Sequence, residues 1–146
     1  MPTPPLIFVL NGPNLNLLGS REPEIYGSET LDRIAERLSD QAEELGVELD
    51  MRQSNHEGHL IDWLHEAQQR GAKAVIINPG GYGHTSVALH DAVKAISTPV
   101  IEVHLSDPDK REPFRHADLV ALAADRVFKG EGARGYALAL DAAASL

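Results

Sequence analysis

The fold is decided by the stretch Ala74-Val75-Ile76-Ile77-Asn78-Pro79-Gly80-Gly81-Tyr82-Gly83-His84-Thr85-Ser86. Its first four residues are all apolar, as in a strand that is buried on both faces of a sheet. Residues 78–84 are polar or rich in glycine and end the strand, and Thr85 or Ser86 can cap a helix that continues to Ile96. A strand, a glycine loop and a helix in this order predict one unit of a parallel α/β sheet.

The same alternation continues before and after this unit. Strands are predicted at residues 6–10, 47–53, 74–77 and 99–103, with a fifth within 119–128, and helices at 29–45, 60–69, 87–96 and 136–144. This order predicts an α/β, flavodoxin-like doubly wound sandwich, a five-stranded parallel sheet with helices on both faces. Ligands bind beyond the carboxyl ends of such strands, so we expect the site in the loops that open at Asn11, Asn78 and His104.

Length and composition are those of one ordinary globular domain. The chain has 146 residues, of which 42% are hydrophobic and 24% charged, so we expect a single domain over residues 1–146. Cysteine is absent from the sequence, which excludes thiol nucleophiles, disulfides and iron–sulfur clusters. A formal net charge of -9 argues against binding to nucleic acid or anionic membranes.

The start of the chain is rich in proline, and residues 1–5 are expected to fray. These residues lack the basic start and apolar stretch of a secretion signal. No apolar run approaches the roughly 20 residues that span a bilayer. We therefore expect a cytoplasmic protein.

Three short motifs suggest cofactors or metals, but each fails on context. Residues 130–135 have the GxGxxG spacing, yet the chain ends before a further strand could complete a dinucleotide-binding unit. Residues 56–59 place two histidines three positions apart, not the four of a zinc helix, and the loop at 80–83 lacks the Gly-Lys-Ser/Thr of a phosphate loop. We predict no cofactor and no metal.

A tyrosine follows an arginine closely in Arg21-Glu22-Pro23-Glu24-Ile25-Tyr26-Gly27, a segment predicted to be a mobile loop. A cation about 4 Å from a phenolate contributes roughly 4 kcal/mol at an effective dielectric near 20. This is enough to favour the ionised form of the tyrosine, which can act as a base. Burial acts in the opposite direction. A second cation, Arg111 or Arg115, is therefore a candidate partner for Tyr26.

An acid and an imidazole lie two residues apart in the strand that contains Glu102 and His104. Both side chains project from the same face near the carboxyl end of that strand. A carboxylate in this position can orient the ring and hold its proton, as a general acid requires. A surface ion pair would have the same spacing, so the pair alone leaves both interpretations open.

Taken together, these segments resemble the type II 3-dehydroquinate dehydratases. The matching stretches are residues 11–19, 21–27, 52–55, 78–92, 101–106, 111–116 and 130–140, so the resemblance spans essentially the whole chain. The resemblance implies a flavodoxin-like sandwich without cofactor that removes water from 3-dehydroquinate to give 3-dehydroshikimate. That reaction belongs to the shikimate pathway of aromatic amino-acid biosynthesis.

The resemblance also implies roles for single residues. Tyr26 would remove a C2 proton, and Arg21 would stabilise the tyrosinate and the developing enolate. His104 would protonate the departing C1 hydroxyl while Glu102 orients it, and Asn14 would hold a water against the enolate oxygen.

Substrate binding and assembly follow from the same resemblance. The implied substrate-binding set is Asn78, His84, Leu105, Ser106 and Arg115. Arg111 would help to close a lid, and Asp91 would reach the site of a neighbouring subunit, because the family forms trimers that pack into a dodecamer.

Three positions depart from the family pattern. Pro79 replaces the usual alanine, Gly83 the usual threonine and Asp109 a common histidine. We expect the first two to change loop stiffness beside Asn78 and His84, and the third to add a negative charge next to Arg111.

Two alternatives to this function remain open, whereas the available side chains suit an enolate route better than a Schiff-base route. The chain could be a non-catalytic flavodoxin-like binding module, or a lyase or isomerase acting on a related hydroxy-acid ring. A Schiff-base route would need a lysine in an apolar pocket, and none of Lys73, Lys94, Lys110 and Lys129 shows such a context in the sequence.

Overall fold

The computed structural model describes residues 3–146 and contains a five-stranded, fully parallel sheet of order β2-β1-β3-β4-β5. The strands are β1 Leu6–Asn11, β2 Glu48–Gln53, β3 Ala74–Asn78, β4 Val100–His104 and β5 Arg126–Lys129. This strand order is that of flavodoxin-like sheets and confirms the predicted fold class. The fraying expected of residues 1–5 falls partly on Met1 and Pro2, which lie outside the described residues.

Helices cover both faces of the sheet. Residues 3–146 contain six α-helices, α1 Pro23–Tyr26, α2 Leu31–Leu45, α3 Glu57–Gln69, α4 Tyr82–Thr85, α5 Val87–Ala95 and α6 Arg134–Ala144. Alternate residues of each inner strand point to opposite faces, so Val9 packs with α2 and α6 while Phe8 packs with α3 and α5. Both faces of the inner strands are therefore buried, which explains their continuous apolar runs.

Several boundaries differ from the prediction. α2 begins at Leu31 rather than residue 29, because the side chain of Thr30 and not of Ser28 accepts a hydrogen bond from Arg33 N–H, at 3.1 Å. The last strand covers only Arg126–Lys129, because Val120–Leu122 forms a 3₁₀ turn whose buried Val120 packs on the α3 and α5 face.

The prediction of a loop throughout residues 21–27 is wrong, because α1 lies within it. Pro23 occupies the first helical position, where its missing N–H costs nothing, and Glu22 precedes it with a φ of 42°. Tyr26 is the last residue of this single turn. The turn therefore gives the tyrosine a defined place at the mouth of the sheet.

The carboxyl ends of β1 and β3 are held side by side. Asn11 and Asn78 pair in the sheet register, and the buried hydroxyl of Tyr136 on α6 joins them. It donates to Asn11 Oδ1 at 2.6 Å and accepts from Asn78 Nδ2 at 3.0 Å. A Cβ at Gly12 would lie 2.5 Å from the carbonyl oxygen of Pro79, so only glycine lets the two loops approach this closely.

Within residues 3–146, no helix combines the length and the apolar character that a membrane crossing requires.

Candidate active site

A cavity of about 230 Å³ opens at the carboxyl edge of the sheet, between the loops that follow β1, β3 and β4. All predicted site residues line it except Glu102 and Asp91; they are Asn14, Arg21, Tyr26, Asn78, His84, His104, Leu105, Ser106, Arg111 and Arg115. The position agrees with the general rule for doubly wound sheets, because β1 and β3 flank the point where the strand order reverses.

Two arginines stack on the ring of Tyr26. The guanidinium carbon of Arg21 lies 4.8 Å from the ring centroid, and that of Arg111 lies 5.1 Å from it. The Arg21 side chain is 37% exposed and the Arg111 side chain only 13%, so the charge of Arg111 is the less screened by water. The second cation expected beside Tyr26 from the sequence is therefore Arg111.

On the other side of the cavity, His104 lies among three polar side chains. Its Nε2–H donates to Glu102 Oε2 through a very short hydrogen bond, and Asp118 Oδ2 lies 3.2 Å from the same nitrogen. The ring stacks on that of His84, with centroids 5.8 Å apart and planes tilted by 24°. Glu102 is completely buried beneath His104, which explains why Glu102 does not line the cavity.

Burial and charge act in opposite directions within this cluster. Burial raises the pKa of Glu102 to about 7, and the nearby Asp118 carboxylate adds to the rise. Burial alone would lower the pKa of His104, but the hydrogen bonds to Asp118 and Glu102 outweigh it and raise the pKa to about 9. Burial opposes ionisation of Asp118 too, yet its bonds to His104 and Glu102 lower the pKa to about 2. His104 is therefore protonated at neutral pH, opposite an ionised Asp118.

The remaining lining residues give the cavity a positive character. Three of them are arginines, and among those that the structure describes none is aspartate or glutamate. Arg111 Nη1–H donates to Ser106 Oγ at 3.3 Å. Arg115 Nε–H donates at 2.7 Å to Glu112, which lies outside the cavity. His84 Nδ1–H donates to the Ala117 carbonyl at 2.8 Å, which leaves Nε2 for a ligand. A small anion with hydroxyl groups suits this surface.

Comparisons with known proteins agree with this geometry. The family model described as dehydroquinase class II matches residues 5–144. The chain belongs to this family. It is 58% identical over 140 residues to the 3-dehydroquinate dehydratase of Phenylobacterium zucineum (strain HLK1), covering 96% of each protein. It is also 58% identical over 140 residues to the 3-dehydroquinate dehydratase of Caulobacter vibrioides (strain ATCC 19089 / CIP 103742 / CB 15), covering 96% of the chain and 95% of that relative.

The fold of the chain is also similar to solved structures of type II dehydroquinases. The type II dehydroquinase from Butyrivibrio crossotus DSM 2876 superposes with a TM-score of 0.94 at 38% identity, over 97% of this chain and 99% of that one. The resemblance stated from the sequence is confirmed, and with it the predicted enzyme class, a type II dehydratase.

One residue of this dehydroquinase site was missed by sequence reasoning. Asp118 lies in the loop before the 3₁₀ turn Val120–Leu122, and its Oδ1 accepts the Ala121 N–H at 3.1 Å. An aspartate two residues before a turn indicates a cap, but nothing in that local pattern reveals that the other oxygen reaches His104. The proximity arises only when β4 and this loop meet in the folded chain.

Asp91 is placed away from the cavity of its own chain. It lies on α5, its side chain is 66% exposed, and Oδ1 contacts His90 Nδ1 at 2.8 Å. The implied role of this residue concerns a neighbouring subunit, so it stays a prediction.

Two sequence features have structural roles beside the site. In the GxGxxG stretch, Gly130 N–H donates to Ser106 O at 3.1 Å and Gly132 N–H donates to Leu105 O at 3.0 Å, so the stretch supports the segment after β4. Asp109 pairs with Lys129 at 2.6 Å. Its charge is thereby compensated by a lysine, which reduces the effect on Arg111 that we expected.

Glu102, His104 and Asp118 form the only set of carboxylate and imidazole atoms within residues 3–146 that is compact enough for a metal, with all three ligand atoms within 4.8 Å of one another. The one His104 nitrogen within that set is already hydrogen-bonded to Glu102, and Asp118 Oδ2 lies 3.2 Å from it. We therefore interpret the cluster as a proton site and not as a metal site.

Proposed function

We propose that the chain converts 3-dehydroquinate to 3-dehydroshikimate and water in the shikimate pathway of aromatic amino-acid biosynthesis, with Tyr26 as base and His104 as acid. The observation that carries this proposal is the pairing across one cavity of a tyrosine beneath two guanidinium groups with a histidine held by two carboxylates. The name of the relatives that are 58% identical supports the substrate.

The reaction divides into two proton transfers. The Tyr26 phenolate removes a proton from C2 of the ring, and the electron pair forms an enolate with the adjacent carbonyl. The negative enolate oxygen is stabilised by the cationic side chains and by a water that Asn14 holds. The enolate then re-forms the carbonyl as the C1–O bond breaks, and a proton from His104 turns the departing hydroxyl into water. Solvent returns the proton from Tyr26 to His104.

The binding residues hold the substrate between acid and base. Arginines beside the cavity attract the ring carboxylate, while Asn78, His84 and Ser106 offer hydrogen bonds to hydroxyls and carboxylate. Asn78 is the most constrained of these, because its amide is already bound to Tyr136 and to the Gly80 N–H. Such constraint reduces the entropy lost when substrate binds.

An enolate route fits the cavity better than a Schiff-base route. No lysine lines the cavity among the residues that the structure describes. Lys73 Nζ donates to the Ala144 carbonyl at 2.8 Å, and Lys129 is paired with Asp109. The alternative of a binding module gains no support from this site, since such a module has no use for an acid facing a base.

Asp91 supports a proposal about assembly. Its exposed position on α5 leaves it free to complete the cavity of a second copy, as in trimers that pack into a dodecamer. We propose that residues 1–146 form one catalytic domain within that assembly.

The test is to incubate purified protein with 3-dehydroquinate and follow the conjugated enone of the product. Substrate carrying deuterium at C2 should react more slowly in the first step, and borohydride should trap no covalent adduct. Absence of enone would refute the substrate, whereas a borohydride-trapped adduct would refute the enolate route and leave the substrate intact. Sedimentation gives the assembly state independently.

A further inference from the structure

Each oxygen of the Asp118 carboxylate has a polar contact. Its Oδ1 accepts the Ala121 N–H, and Leu119 N–H donates to the Gly83 carbonyl at 2.8 Å, which ties this loop to α4. Its Oδ2 then lies 3.2 Å from His104 Nε2. The side chain is 17% exposed, so water screens its charge weakly.

Gly83 lies directly beside the Asp118 carboxylate and the His104 ring. A Cβ at Gly83 would lie 3.5 Å from Asp118 Oδ1, 3.5 Å from His104 Cε1 and 3.0 Å from Pro79 Cγ. An alanine there would already press on the proline ring, and the further atoms of a larger side chain would have to share the volume of the carboxylate and imidazole. Pro79, Gly83 and Asp118 therefore pack as one unit beside His104.

We propose that Asp118 is a second positioning residue for the acid, holding the Nε2–H of His104 from the loop side while Glu102 holds it from the strand. This inference rests on the proposed function, in which His104 donates the proton. Two carboxylates on one N–H fix the ring plane, and the other nitrogen, Nδ1, has no protein partner within residues 3–146. The fixed Nδ1–H of the imidazolium is thus the proton available to the substrate.

Asp118 is needed because Glu102 is a poor sole counter-ion. Glu102 is completely buried, and its Oε1 has no hydrogen-bond partner among the described residues, so its ionised form is costly. Its pKa of about 7 leaves it partly protonated at neutral pH, whereas Asp118 is ionised. Asp118 therefore supplies the full negative charge opposite the imidazolium.

The other groups facing His104 do not supply such a charge. Tyr26 lines the same cavity, and the charge of its phenolate is offset by the two arginines that lie on its ring. His84 on α4 stacks on the ring of His104, and three arginines also line the cavity, namely Arg21, Arg111 and Arg115. These cations disfavour a charged His104. The protonated state of the acid consequently depends on the two carboxylates behind it.

The experiment compares Asp118→Asn and Asp118→Ser with the unchanged protein. Asparagine and serine can both accept the hydrogen bond from the Ala121 N–H, so we expect both variants to fold. Both lack the negative charge of the aspartate. The charge-matched control is Asp62→Asn, on the exposed face of α3. His104 is titrated by NMR without substrate, with His104→Asn used to assign its signal, and kcat and KM are measured over the same pH range.

We expect the His104 midpoint to fall by about one pH unit or more in both Asp118 variants, and the alkaline limit of kcat to move with it. KM should change little, and Asp62→Asn should change nothing. An unmoved His104 midpoint overturns the proposal, as does a loss of kcat that is equal at every pH. Because the titration needs no substrate, it tests Asp118 even if 3-dehydroquinate proves not to be turned over, which would refute the proposed function instead.

Discussion

The guanidinium group of Arg111 lies over the ring of Tyr26, 5.1 Å from its centroid. The two residues come from different loops, since Tyr26 ends the turn after β1 and Arg111 follows β4. Their contact joins the loop that carries Tyr26 to the loop that follows His104. The position of the Tyr26 ring is thereby coupled to that of the second loop.

Tyr26→Phe removes the base while keeping the ring between its two arginines. We expect kcat to fall by about 10²- to 10⁴-fold, the usual contribution of a positioned general base. The melting temperature should change little, because the hydroxyl has no hydrogen-bond partner among the described residues. Tyr82→Phe is the matched control, since its hydroxyl bonds the Asn55 carbonyl outside the cavity. Near-normal turnover of Tyr26→Phe would exclude the tyrosine as base.

Arg111→Met and Arg21→Met separate the two cations above Tyr26. A charge about 5 Å away contributes roughly 3 kcal/mol at an effective dielectric near 20, so Arg111→Met should lower kcat by about 10²-fold. Arg21 is more exposed, and solvent screening should reduce its effect to about fivefold or less. Arg33→Met, on the exposed face of α2, controls for lost charge. A larger loss for Arg21 would reverse the assignment of the dominant cation.

Much of this site was predictable because its residues follow apolar strands. The runs ending at Asn11, Asn78 and His104 mark three neighbouring carboxyl ends, and parallel pairing brings those ends to one edge. Glu102 and His104 were predictable as a pair, because a two-residue spacing on a strand fixes their common face.

Contacts between loops were not predictable in the same way. α1 is a single turn, too short to leave a periodic pattern in the sequence. Asp118 has a local signature only as a cap, and its approach to His104 beside Gly83 arises from contacts between loops that are distant in the sequence. The choice between Arg111 and Arg115 as the second cation likewise required the folded loop.

The stability of the protein should depend on pH through His104. Its pKa is raised from 6.5 to about 9 on folding, so the folded state binds this proton more tightly than the unfolded chain. The resulting stabilisation is fully present below pH 6.5 and is lost as the pH rises through about 9. Urea unfolding of the unchanged protein should therefore give a free energy that falls over this range, while His104→Asn gives a flatter curve. Parallel curves would show that other groups cause the fall.

Tyr136→Phe tests whether the buried hydroxyl organises the binding edge. Its loss leaves Asn11 Oδ1 and Asn78 Nδ2 without their shared partner inside the core, where Tyr136 is fully buried. An unsatisfied buried polar group costs about 1–3 kcal/mol, so the free energy of unfolding should fall by that amount. Asn78 also lines the cavity and would lose its fixed orientation, so KM should rise more than kcat falls. Tyr82→Phe, with an accessible hydroxyl, should cost only about 0.5 kcal/mol and leave KM unchanged. If Tyr136→Phe lowers stability without raising KM, the hydroxyl supports the core alone, and the orientation of Asn78 is set by its bond to Gly80.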